Sequence, residues 1–151
     1  MMHPLQLLSD TIKWAGKNLS YNLGFIADDK LNWKPAPSAK SALEISAEVV
    51  NVTDMFEALV AGRAPSEEKK SFSSREEAQK AVEEASAKYA QTLLSLGDND
   101  LTGEMDLGFT KMPKARAISI PVVETIHHHG QIAYIQTLLG DTESHFYEMG
   151  S

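Results

Sequence analysis

The stretch from Ser119 to Gly140, SIPVVETIHHHGQIAYIQTLLG, sets the reading of the whole chain. Ser119 suits a helix N-cap, Pro121 is tolerated in a first turn, and Gly140 suits a C-terminal stop. At about 100° per residue, Ile120, Ile135, Leu138 and Leu139 fall on one face of the predicted helix. Glu124, His128 and Gln131 fall on that same face, with His127 at its edge and His129 turned outward. A carboxylate, an imidazole and an amide inside an apolar stripe need partners or a metal, because burying an unpaired charge is expensive. Glu124 and His128 stand at i and i+4, so both side chains can point at one atom. The triple histidine is too short, and too firmly helical, to be mainly a surface chelating tract.

Three more helices are predicted upstream. Leu5, Leu8, Ile12, Ala15, Leu19, Leu23 and Ile26 recur at three- and four-residue steps, giving a first amphipathic helix from Pro4 to Ile26. The prolines of LNWKPAPSAKS end it, and Trp33 is expected to pack over a bundle end. Ser41 with Glu44 makes a capping box that opens a second helix running to about Gly62. Glu44 therefore has a structural role. On the second helix Ile45, Val52, Met55, Phe56 and Leu59 form the predicted stripe, with Glu48 in its middle and Asn51 beside it. Ser74 with Glu77 opens a third helix, with Ala78, Val82, Ala85, Tyr89, Leu93 and Leu96 inward. Its alanines suggest a close approach to a neighbour, and no acid or histidine sits at the centre of its stripe. Residues 97–118 carry turn-formers and one or two short extended segments. His3 and His145 are read as surface residues. The tail 141–151 is read as a short packed or frayed end.

Four helices, each with one apolar stripe, predict an all-α four-helix bundle with long connections before helices two and four. At 151 residues one domain, 1–151, is expected. No apolar run has the length of a membrane span, and no signal peptide is evident, so no membrane association is expected. The absence of cysteine excludes disulfides and thiolate ligands and is compatible with a reducing cytoplasm. A net charge of −7 without a basic cluster argues against a nucleic-acid partner, which requires Lys and Arg to neutralise phosphate.

Bundle cores commonly host metals between facing helices. Glu48, Glu124 and His128 make a candidate set of two carboxylates and one imidazole, suited to a divalent zinc, nickel, manganese or iron ion. Three protein ligands leave positions for water or a small-molecule substrate. His127 is a competing ligand, since Glu124 and His127 form a Glu-x-x-His pair. The second such pair that a di-iron site needs is missing. Gln131 and Asn51 are candidates to support the ligands or to replace one. The alternative is a Glu48–His128 pair that satisfies both groups with no metal, in a non-catalytic binding or dimerisation module. A homodimer through exposed apolar residues of helices one or four is compatible with either reading.

Two segments carry a resemblance. LNWKPAPSAKSALEISAEV, residues 31–49, and HHHGQIAYIQTLLG, residues 127–140, are similar to the DinB-like superfamily. That superfamily includes YfiT-like metal-dependent hydrolases and bacillithiol or mycothiol transferases. Its members resemble a pattern in which Ser-x-x-Glu opens helix two and a His follows four residues later. That position is Glu48 here. In helix four the pattern is His-x-x-x-His-Arg-Gly-Gln. Here Glu124 takes the first His position and His128 the second, followed by His129-Gly130-Gln131. The resemblance spans nearly the whole chain. It implies the bundle fold, a mononuclear metal at these three positions, and hydrolysis or transfer to a low-molecular-weight thiol or other nucleophile. Two carboxylates in place of imidazoles favour a harder ion.

Overall fold

The apolar steps of the four segments produce four long helices, and residues 1–148 are described by the structure, a computed structural model. Helix α1 spans Pro4–Leu23, α2 Ala42–Val60, α3 Arg75–Leu94 and α5 Ile120–Leu138. A single turn, α4 (Lys114–Ala117), precedes α5, and a two-stranded hairpin, β1 (Glu104–Asp106) and β2 (Lys111–Pro113), precedes that. The main contacts run from α1 to α3 and α5, and from α2 to α3 and α5. Helices α1 and α2, consecutive in sequence, are therefore diagonal neighbours. The 24–41 connection has to cross one end of the bundle to join them.

Each helix start has a local cause. His3 caps α1, its Nδ1 accepting from the Leu5 amide at 3.2 Å. The Ser41–Glu44 capping box is complete: Ser41 Oγ accepts from the Glu44 amide at 3.3 Å, and Glu44 accepts from the Ser41 amide at 2.8 Å. Ser74 Oγ accepts from the Glu77 amide at 3.2 Å, whereas Glu77 turns back to Ser73 rather than to Ser74. Ser119 does not cap. Its backbone is already helical, and its Oγ donates to the Arg116 carbonyl, so α4 runs almost directly into α5. Helix α1 stops at Leu23, three residues short of the predicted end, yet Ile26 still folds back into the core.

The core lies in two linked clusters. At the end crossed by the 24–41 connection, Leu19, Leu23, Ile26, Leu31, Val49, Val82, Ile132 and Ile135 pack together, with Trp33 against them. At the other end Leu5, Ile12, Phe56, Tyr89, Leu93, Ile118 and Val122 do the same. There Met105 and Met112, cross-strand partners in the hairpin, lay their side chains on the cluster. Tyr89 donates its hydroxyl to the Ile118 carbonyl at 2.7 Å and so ties α3 to the start of α5. The expected close approach of α3 is to α1. A Cβ added at Gly16 would stand 2.1 Å from Ser86 Oγ and 2.8 Å from its Cβ.

The buried face of α5 is rotated from the predicted one. Val122, Thr125, His128, His129, Ile132, Ile135 and Gln136 are buried, while Leu138 is exposed. The reason is that α5 serves two neighbours, α2 on one side and α1 on the other, and its buried arc is wide. His129, expected outside, lies on the α1 side. Its Nε2 meets Asn22 Oδ1 at 3.1 Å, and its ring stacks on Phe146 at 4.1 Å between centroids. The tail folds back over the α1–α5 seam. His145 stacks on Phe25 and Tyr147 on Trp14, so His145 is packed rather than free at the surface. On α2 the burial is also shifted. Val52, Met55 and Leu59 are half-buried, and Val49, Val50 and Thr53 are buried. Among the described residues, no helix is long and apolar enough to cross a membrane.

Candidate metal centre

Helices α2 and α5 face each other along one side of the bundle, and the 34–40 segment forms a lip over their seam. Between them lies a cleft of about 530 Å³, floored by Ile45 and Ile135 and edged by Pro35, Ser38, Lys40 and Tyr134. Glu48, Glu124, His127, His128 and Gln131 all line it. Glu48 arrives there because it lies one turn beyond the cap residue Glu44. Glu124 and His128 arrive together because they are one turn apart on α5.

His128 is the buried member, with 6 % of its side chain exposed against 34 % for Glu48 and 37 % for Glu124. Its Nε2 lies 3.3 Å from Glu124 Oε2 and 3.7 Å from Glu48 Oε2. Neither contact is a hydrogen bond, and Nε2 is a buried polar atom without a partner. Its Nδ1 lies 2.6 Å from Gln131 Oε1. With that amide oxygen accepting from Nδ1–H, Nε2 is the ring nitrogen that faces the two carboxylates. Nε2 and two carboxylate oxygens then converge, with the Lys40 ammonium on the Glu48 oxygen. Ligands of an ion held at about 2.1 Å stand about 3.0–3.4 Å apart, close to the separations seen. The donor types, two carboxylates and an imidazole, are those a divalent ion takes, with Glu48 standing 3.7 Å from Nε2 and so slightly too far as placed.

One neighbour stands in the way. Lys40 Nζ pairs with Glu48 Oε2, the same oxygen that faces His128. Among the described residues, no three His, Asp or Glu side chains are already drawn up around one point that would hold an ion. Closing the set requires Glu48 to leave Lys40. Sequence reasoning missed this lysine. Its place just ahead of the Ser41 cap, eight residues before Glu48, does not by itself give the pairing, which depends on where the 24–41 connection crosses the bundle.

The remaining predicted residues separate. His127 is exposed on the cleft, its ring 4.9 Å from that of His128 at an angle of 61°. Gln131 Oε1 is the hydrogen-bond partner of His128 Nδ1. Asn51 is elsewhere. Its side chain bonds the Lys70 backbone at 2.9 and 3.1 Å and pins the 61–74 connection.

A second depression, of about 570 Å³, lies on the α2–α3 side beside Glu57. Glu57 is a buried carboxylate that the sequence reading passed over, 4 % exposed. Burial alone would raise its pKa, but Arg63, Thr92 and Lys88 together outweigh burial and hold it below the usual carboxylate range. Thr92 donates at 3.0 Å, Lys88 lies at 3.2 Å, and Arg63 also donates. All of its capacity is used within the fold, so it holds α2, α3 and the connection together.

A family model described as the DinB family matches residues 1–151. The chain belongs to the DinB family. Solved structures place the DinB chain in the same fold. A DinB-like protein of Bacillus subtilis superposes with a TM-score of 0.73 at 20 % identity, over 91 % of this chain and 94 % of that one. A conserved protein of Enterococcus faecalis gives 0.76 at 16 % identity, over 93 % and 100 %. A DinB-like protein of Bacillus cereus gives 0.73 at 17 % identity, over 88 % and 91 %. A comparison with curated proteins returned no match.

Proposed function

We propose that this DinB-family protein binds one divalent ion through Glu48, Glu124 and His128, and that the cleft above them is the active site of a metal-dependent enzyme acting on a small molecule. The observation that carries the proposal is the buried, unpartnered Nε2 of His128 aimed between two carboxylates at the floor of a cleft. The reaction class is hydrolysis, or transfer to a low-molecular-weight thiol or similar nucleophile. An ion held there supplies Lewis acidity, lowering the pKa of a bound water or thiol and polarising a substrate oxygen or leaving group. The chain's own residues do the rest. Gln131 fixes the His128 tautomer and ring, as partners of ligating histidines do. Ile45 and Ile135 make an apolar floor. His127 and Tyr134 stand exposed at the mouth, where they can meet a substrate's polar groups. Two carboxylates and one imidazole suit manganese, iron or zinc.

The test is metal content of untagged protein by inductively coupled plasma mass spectrometry, with a Glu48→Ala/His128→Ala double variant alongside. We expect about one ion per chain, lost in the variant. A wild-type protein that takes up no zinc, manganese, nickel or iron, and whose melting temperature none of them raises, would sink the proposal.

The Lys40–Glu48 pair favours a second reading, a non-catalytic bundle in which Glu48 is satisfied by an ammonium and the cleft serves only to bind a partner. That reading predicts the metal-indifferent result just named.

A further inference from the structure

Lys40 holds one oxygen of Glu48 that a metal ion would need, and it supplies a positive charge where that ion would sit. We propose that Lys40 is a tethered counter-ion for the centre: it neutralises Glu48 until a divalent ion displaces it, and the freed ammonium then makes the cleft mouth a receptor for an anionic group on the substrate. This rests on the metal-binding reading above and adds to it both a competitor and a substrate class.

Three observations carry the inference. First, the pair sits at the mouth of the cleft. Glu48 is 34 % and Lys40 52 % exposed, so the contact can open without disturbing the core. Second, the segment bearing Lys40 is anchored on both sides of it. Lys34 Nζ pairs with Glu44 at 2.8 Å, and Ser41 is held in the α2 capping box. After release the ammonium stays at the rim rather than leaving with a loose loop. Third, Lys40 is the only lysine or arginine among the described residues that line the cleft. Two carboxylates balance a divalent ion. A further ammonium on the same oxygen adds an uncompensated positive charge at short range, and like charges there repel strongly. Ion and ammonium therefore exclude each other from Oε2. Once displaced, Lys40 has no other carboxylate within the cleft except Glu124, itself drawn to the ion. An incoming carboxylate, phosphate or thiolate is then its natural partner, beside His127 and Tyr134.

The test is titration calorimetry of the full, untagged chain with zinc and, separately, manganese, on wild type, Lys40→Met and Lys40→Arg. We expect Lys40→Met to bind about tenfold or more tightly than wild type, and Lys40→Arg to stay within about threefold of it. Binding by Lys40→Met alone, with none by wild type, would mean that no ion displaces Lys40 in the native protein and overturns the inference. Equal or weaker binding by Lys40→Met, with wild type still binding, overturns the role of Lys40 and leaves the metal centre standing. No binding by any of the three overturns the centre and this inference together. For the second half, acetate and inorganic phosphate are titrated into the metal-loaded wild type and Lys40→Met proteins. Saturable binding is expected in the first and at least about tenfold weaker binding in the second. Equal binding in both removes the anion-receiving role.

Discussion

His128 and His129 are adjacent in sequence and answer to opposite surroundings. His128 faces the α2–α5 cleft with a nitrogen left open, whereas His129 is shut into the α1–α5 seam between Asn22 and the Phe146 ring. Burial pushes the His129 pKa down from 6.5 to about 4. The folded protein keeps this imidazole neutral across that interval while the unfolded chain takes up a proton. Stability is therefore unaffected by His129 above about pH 6.5, falls as the pH drops from there to about 4, and is lost by on the order of 3 kcal/mol at the end. Glu57, whose folded pKa is depressed, adds a loss in the same direction once the pH falls below the ordinary carboxylate range. Urea unfolding at pH 7.5 and 4.5 separates the two. A His129→Gln variant, able to keep the Asn22 contact, should lose about 2–3 kcal/mol less across that step than wild type. An identical pH dependence in both would mean that His129 is protonated in the folded state.

At the scale of the element, α1 and α3 are held closest where Gly16 meets Ser86. Gly16→Ala should gain helix propensity of about 1 kcal/mol but force Ser86 to move, at about 1–3 kcal/mol. A net loss of about 1–2 kcal/mol is expected, mostly restored by adding Ser86→Gly, which removes both clashing atoms. Chemical denaturation of the two single variants and the double variant measures this, and additive losses would refute the contact as the cause. The helices themselves were legible, because capping boxes and three- and four-residue apolar steps are local signals. Which arc of each helix is buried was less so. A wheel drawn for a single stripe assumes one neighbour, and α5 has two. That is why His129 was expected outside and Leu138 inside. That Glu48, Glu124 and His128 share one cleft could be read because charged groups on a largely apolar face stand out. Lys40 and Glu57 could not be placed, since their partners are set by where a connection crosses the bundle and by which helices become neighbours. The tail stacks were illegible for the same reason, each pairing residues more than fifteen positions apart.

For the molecule as a whole, the outer face of α5 is apolar. Val123, Ile126, Tyr134 and Leu138 are each between 43 % and 64 % exposed. Gly130 lies amid them with open space where a side chain would be. We propose that a second copy of the same stripe covers it, because an isologous contact needs only one self-complementary patch and a bare glycine leaves room for a close approach. We expect sedimentation to show a homodimer that Ile126→Lys converts to a monomer of unchanged helicity. A wild-type monomer at high concentration would exclude this use of the face.

The diagonal placement of α1 and α2 has a consequence for selectivity. The chain that crosses the bundle end is also the rim of the cleft. Leu31, near its start, is buried in the core and accepts the Leu43 amide at 3.3 Å, and its far end is the cap of α2. Rim and core closure are thus one piece of backbone. A guest too bulky for the opening would have to pull Leu31 outward or undo the α2 cap, so the protein meets it with the cost of partial unfolding. If the cleft takes a small molecule as proposed, broader acceptance through substitution in 31–41 should come with a lower melting temperature.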